Sequence, residues 1–191
     1  MVRSYSVFPL LLSLALLASC GYKEVEVKNF RLYFNSQDAG LVREAKRLTQ
    51  YYNQRAGSEV LHIAETADGA NSNVIWTKGL QTQDGKIGYG AWQAESKQDS
   101  PLVNLEGRKA KRKVKYSMSL EFDYDFFVQR MSGAQTSPQW QELFVLFSHE
   151  VGHGLTMSHD EDKKSVMYKY VDGADGVKFD EYFARVRAFF D

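Results

Sequence analysis

The segment His149-Glu150-Val151-Gly152-His153 places two imidazoles four residues apart, with a carboxylate beside the first. Residues four apart lie one above the other on the same face of an α-helix, so both imidazoles can bind one metal ion. Zinc suits such nitrogen ligands and, in catalytic sites, keeps one position open to water. Zinc acidifies that water, and Glu150 can reach it and take its proton as it attacks a carbonyl. A third imidazole follows six residues on, at His159. If the helix continued past His153, six residues at about 1.5 Å each would carry His159 roughly 9 Å along the axis, beyond reach. The chain must therefore turn soon after His153, and Gly154 offers a breaking point. The chain has four His in all, and three fall in this segment, which argues against three unrelated core or surface histidines.

The run from His149 to His159 resembles the signature of the metzincin zinc peptidases, His-Glu-x-x-His-x-x-Gly-x-x-His followed by a Met-containing turn. His149, His153 and His159 fall on its three ligand positions and Glu150 on the catalytic one. Ser165-Val166-Met167-Tyr168 resembles the Met-turn, and its distance from His159 is most similar to the matrixin branch. The resemblance implies Zn2+ as cofactor, Met167 as a hydrophobic floor, and an endopeptidase that hydrolyses a peptide or protein substrate with Glu150 as general base. It also implies that substrate lies extended along an edge strand above the site. By chain order that strand is Lys86 to Gln93, with Gly88, Tyr89 and Gly90 at the substrate and the glycines admitting a peptide backbone. The segment after Met167 would then wall the pocket, with Tyr168 and Tyr170 lining it. Some metzincins carry a Tyr ligand two residues after the Met; Lys169 stands there, so none is expected.

One position departs from the signature. Its Gly between the second and third ligands is Thr156, and a β-branched residue at positive φ is an outlier. Either Gly154 takes over the turn or the loop follows another path. Were His159 displaced, Asp160 or Glu181 would be the fallback ligands. Two other readings compete with an active endopeptidase. One is a zinc-binding surface protein that recognises peptides with weak or no catalysis; the other is a zinc amidase acting on cell-wall peptides.

These residues need elements to hold them. Phe30 to Phe34 reads as a strand, followed by a helix from about Gly40 to Arg55, capped by Ser36 or Asp38, with Leu41, Ala45, Leu48 and Tyr52 on one face and Gly57 ending it. Val60 to Ala64 and Val74 to Trp76 read as strands, with a loop around Asp68-Gly69 and Asn71 between them. Asp84-Gly85 carries a hairpin-turn signal ahead of the strand Lys86 to Gln93. Glu95 to Gly107 reads as loop, and Val114 to Phe122 alternates as a strand. Ser137-Pro138 is a helix start, and Trp140, Leu143, Phe144, Phe147 and Val151 give that helix an apolar face. A last helix runs from about Phe179 to Phe190, with Tyr182, Phe183, Val186 and Phe190 on its buried side. Asp172 to Gly176 lacks the acidic spacing of a calcium loop and reads as a turn. The order fits an α/β (α+β) single domain over 30–191. In metzincin terms this is a twisted, mostly parallel sheet with an active-site helix, Met-turn and C-terminal helix.

Hydrophobic residues make up 43% of the 191 and charged residues 25%, as in an ordinary globular domain rather than a disordered chain. Net charge is zero, so no global field points to nucleic acid, and a monomer is expected. Six of the eight residues from Arg108 to Lys115 are basic, which reads as a solvated loop and strand entry, or as a contact with anionic lipid. The first nineteen residues have one charge, Arg3, and an apolar stretch from Val7 to Leu17, the pattern of an export signal. Leu17-Ala18-Ser19-Cys20 resembles the lipobox of bacterial lipoproteins, which implies cleavage before Cys20 and lipidation of its thiol. The expectation is a domain exported and anchored to a membrane of the bacterial envelope through Cys20, with 20–29 as a tether. Gly21, rather than Asp, after the Cys favours the outer membrane. Cys20 is the chain's only Cys, so neither internal disulfides nor a Cys-based inhibitory propeptide is expected.

Overall fold

Period-two alternation becomes a sheet that buries one face. The computed structural model describes residues 23–98, 111–170 and 173–191. Cys20, the leader and the basic residues Arg108 and Lys109 lie outside these residues, as do Val171 and Asp172. The chain forms two compact units. The larger comprises 28–94 and 116–191 and carries every site residue named above except Cys20. The smaller comprises, of the described residues, 23–27, 95–98 and 111–115. In it β1 (Lys23–Val27) pairs in parallel with the Lys111–Lys115 stretch of β6 (Lys111–Asp123), so half of the expected tether is a strand.

In the larger unit β2 (Phe30–Phe34), β3 (Leu61–Ile63), β4 (Ser72–Thr77) and β6 lie in the order β6-β4-β2-β3, every neighbouring pair parallel. β5 (Gly88–Gln98) pairs with β6. Phe30, Leu32 and Phe34 of β2, Val74 of β4 and Met118, Leu120 and Phe122 of β6 are buried, whereas the alternating Arg31, Asn73 and Ser119 are exposed. α1 (Ala39–Ala56), α4 (Pro138–Gly154) and α5 (Phe179–Phe190) contribute to the same core as those buried strand residues, with α1 packing on α4 and α5. This is the mostly parallel α/β arrangement expected from the sequence.

The helix boundaries follow local chemistry. Asp38 caps α1, its carboxylate accepting from the Gly40 and Leu41 amides, and Gly57 closes it at φ 82°. Ser137 caps α4, its hydroxyl accepting from the Trp140 amide, and Pro138 stands at the first turn, where a missing N–H costs nothing. Two expectations need correction. Asp84-Gly85 does not make a hairpin: Leu80–Asp84 is a short helix, α2, and Gly85 ends it at φ 68°. A Gly that supplies positive φ serves a helix end as well as a turn. The loop expected from Glu95 to Gly107 does not start at Glu95, because β5 runs on through Gln98, and 99–107 lie outside the described residues. A further helix, α3 (Tyr124–Arg130), was not anticipated. The buried Asp123 organises it, one carboxylate oxygen accepting from Phe126 N (2.8 Å) and the other from Gln81 N of α2 (3.0 Å).

Candidate metal centre and cleft

α4 crosses the interior, and from Leu143 to Gly152 each of its residues is buried. His149 and His153 lie one turn apart near its C-terminal end, and their Nε2 atoms are 3.1 Å apart. The Nε2 of His159 comes within 3.2 Å of that of His153. The three imidazoles are the group of ligating side chains that can hold a metal among the described residues. Two nitrogens sharing a tetrahedral zinc at about 2.0–2.1 Å would stand about 3.3 Å apart.

The hydrogen bonds behind the rings fix their chemistry. His149 Nδ1 lies 2.8 Å from the Val166 carbonyl and His153 Nδ1 2.9 Å from the Met157 carbonyl. A carbonyl only accepts, so each Nδ1 carries the proton and each Nε2 is left with a bare lone pair. Two such lone pairs facing each other at 3.1 Å repel unless a cation lies between them. Burial also pushes His149 down to about 4 and lowers His153, so protons do not readily fill that role. The donor set fits zinc.

The helix then stops as a Schellman turn. Thr156 N donates to His153 O and Met157 N to Gly152 O, at 3.0 and 2.9 Å. Thr156 is itself the left-handed residue of that turn, at φ 68°, while Gly154 remains helical. Gly154 therefore does not take over the turn. Its absent side chain serves packing instead, since a Cβ there would stand 2.9 Å from Met118 Cβ. The expected path is kept by a strained Thr.

The sequence profile of the Matrixin family matches residues 70–181, more than half of the chain. The chain belongs to the matrixin family. A search of curated proteins finds no match.

Within this matrixin, Asp160 and the Met-turn secure His159. Asp160 N donates to the Met167 carbonyl (2.8 Å), and its carboxylate accepts from Ser165 Oγ (2.6 Å) and Arg185 (2.8 Å). Ser165 Oγ in turn accepts from Met167 N. Asp160 is thus committed as a tie rather than a ligand, and Glu181 is exposed and pairs with Lys178. Met167 is fully buried, and its sulfur occupies the space beside Gly152, where a Cβ would approach it to 2.3 Å. A Gly between the two helical ligands lets the Met-turn press against α4. Behind it, Tyr52 donates to the Tyr182 hydroxyl, and Tyr182 donates to the Ser148 carbonyl.

Gly85, Lys86, Ile87, Gly88, Tyr89 and Gly90 line a cleft of about 670 Å³ together with the three imidazoles, Glu150, Lys169 and Tyr170. Tyr168 is not among its lining residues; it is half-buried with its ring set edge-on against Tyr170. The two glycines also have a packing role. A Cβ on Gly88 would stand 2.4 Å from Glu150 Oε1, and one on Gly90 2.2 Å from the Glu150 carbonyl oxygen. What approaches these positions within the chain is α4, so the glycines let β5 lie directly against Glu150. Glu150 is 4% exposed. Burial pushes it up to about 8, with Lys86 pulling the other way.

Gly152, Ser165, Lys86 and the backbone carbonyls of Met157 and Val166 were not anticipated, and Asp160 only as a fallback ligand rather than as a tie. Only Gly152 carried a signal, as a helix-disfavoured residue inside a strongly helical run. A backbone carbonyl has no sequence signature.

Proposed function

We propose that the protein is a zinc-dependent endopeptidase in which His149, His153 and His159 hold the metal and Glu150 is the general base. The observation that carries this reading is the convergence of three imidazole nitrogens in the same cleft as the buried Glu150. When bound, zinc supplies Lewis acidity, acidifying water and polarising a carbonyl. The Val166 and Met157 carbonyls keep the His149 and His153 tautomers ready to ligate. In the metal-free chain burial raises the Glu150 carboxyl to about 8; a bound cation would favour its ionised form, which can accept a proton. Glu150 takes a proton from water and returns it to the departing amine. β5 holds that carboxyl in place through Gly88 and Gly90, and a substrate strand would lie along the cleft wall that β5 forms.

Export and anchoring through a lipidated Cys20 belong to the same proposal, supported by the leader and the Leu-Ala-Ser-Cys sequence. Among the described residues no helix is long and apolar enough to cross a membrane. The test is cleavage of a broad peptide library by the zinc-loaded protein and by Glu150→Gln. The expected loss is about 10²–10⁴-fold in turnover with zinc retained. Zinc bound without Glu150-dependent cleavage of any peptide would sink the endopeptidase reading.

A further inference from the structure

Among the described residues lining the cleft, Lys86 and Lys169 are the two cationic side chains and Glu150 is the one carboxylate. Both lysines are exposed. Among the described residues neither makes an ion pair; each instead lies over the ring of an exposed tyrosine. Lys86 Nζ is 5.7 Å from the Tyr89 ring centre and Lys169 Nζ 4.8 Å from that of Tyr170. Those tyrosines are 50% and 59% exposed. The two pairs come from different segments, one ahead of and within β5, the other just after the Met-turn. The cleft thus has the same device on two of its walls: an ammonium that makes no ion pair among the described residues, beside an open aromatic face.

Among the described residues, Asp160 and Asp162 of the loop after His159 are paired elsewhere. Asp160 is taken by Ser165 and Arg185, and Asp162 by Lys178. Positive charge here is local, since the chain as a whole is neutral. A cationic peptide would meet like charge on both walls, and an acidic one would complete both pairs.

We infer that Lys86 and Lys169 are specificity-determining residues that select substrates with a carboxylate close to the cleaved bond, an inference that rests on the peptidase reading. The carboxylate comes either from Asp or Glu side chains or from a free C-terminus just beyond the bond. Two measurements test it on the full chain. The first is kcat/KM of the zinc-loaded enzyme for peptides of one core with Glu, Gln or Lys flanking the bond and amidated C-termini, plus a neutral peptide with a free C-terminus. The second is binding of the same peptides to Glu150→Gln, read by fluorescence anisotropy.

The Glu peptide is expected to exceed the Gln peptide about three- to tenfold, and the Lys peptide by more. The preference should collapse at about 1 M salt, where the screening length falls to about 3 Å. Lys86→Glu with Lys169→Glu should invert the order, and the milder Lys→Gln pair should level it. A preference confined to the free C-terminus supports the inference and assigns the carboxylate to that source. Equal values for all peptides in both measurements, or an order untouched by the lysine substitutions, would overturn it. If nothing is cleaved but the charge order persists in binding, the peptidase reading fails and carboxylate selection stands.

Discussion

His149 and His153 are positioned by a buried, regular helix, whereas His159 is positioned by an irregular loop that works against its own backbone preference. The helical pair needs only the spacing of α4 and two carbonyl acceptors. The loop needs a Thr at φ 68°, a carboxylate tied to Ser165 and Arg185, and a bridge from Asp160 N to Met167 O. A left-handed conformation costs an ordinary residue about 1–2 kcal/mol. The chain tolerates it because the Schellman bonds and the Asp160 ties fix both ends of the turn. Two of the three imidazoles are thus placed by secondary structure, and the third by a network that each member helps to hold.

That contrast can be broken most strongly at the ligands. His149→Ala and His153→Ala should abolish stoichiometric zinc, while His159→Ala should leave weakened binding by the helical pair; competition with a chelator reads the difference. Equal loss at all three would remove the distinction.

The next effect concerns the burial that sets the helical half apart. In the metal-free chain the Glu150 pKa is raised from 4.5 to about 8, so stability present below 4.5 is lost as pH rises toward 8. His149 is lowered from 6.5 to about 4, so stability present above 6.5 is lost as pH falls toward 4. The two oppose each other between 4.5 and 6.5, and only Glu150 acts above that range. Zinc-free protein should therefore lose about 2 kcal/mol between pH 6.5 and 8 in urea unfolding. Saturating zinc should remove the slope, since a dication favours the carboxylate.

On the loop side, Asp160→Ala should weaken zinc roughly 10- to 100-fold without unfolding α4, as loss of a group that orients a ligand does. Isothermal titration with zinc, alongside the circular dichroism of the variant, checks both halves of that statement. Smallest of all, Thr156→Gly should raise stability by up to about 1 kcal/mol, because relief of the left-handed strain outweighs the added freedom of the unfolded chain. A destabilised Thr156→Gly would mean that the side chain of Thr156 supports the loop rather than straining it.

The same division marks what the sequence disclosed. Period 3.6 placed the buried faces of α1, α4 and α5, and the spacing of His149, Glu150 and His153 followed from helix geometry alone. Period two placed β2 and β6, whose alternate residues are buried and exposed in turn. Thr156 was read as an obstacle because propensity describes a residue in isolation, and neighbouring hydrogen bonds overrode it. Gly88 and Gly90 were recognised as sites of close approach, but which body approaches is a tertiary fact; it is Glu150. The tether and Asp84-Gly85 misled for a related reason. A polar segment becomes a strand when β6 offers it an edge, and a Gly suited to a turn equally ends a helix. Asp123 caps α3 and binds α2 across a distance in sequence that no local pattern spans.

The most direct test of the centre itself is the zinc content of the full chain after exposure to zinc and exhaustive dialysis, compared with the His149→Ala chain. One zinc per wild-type chain is expected, with none retained by the variant. A wild-type chain that holds no stoichiometric zinc, or a variant that holds as much, would contradict the three-imidazole centre.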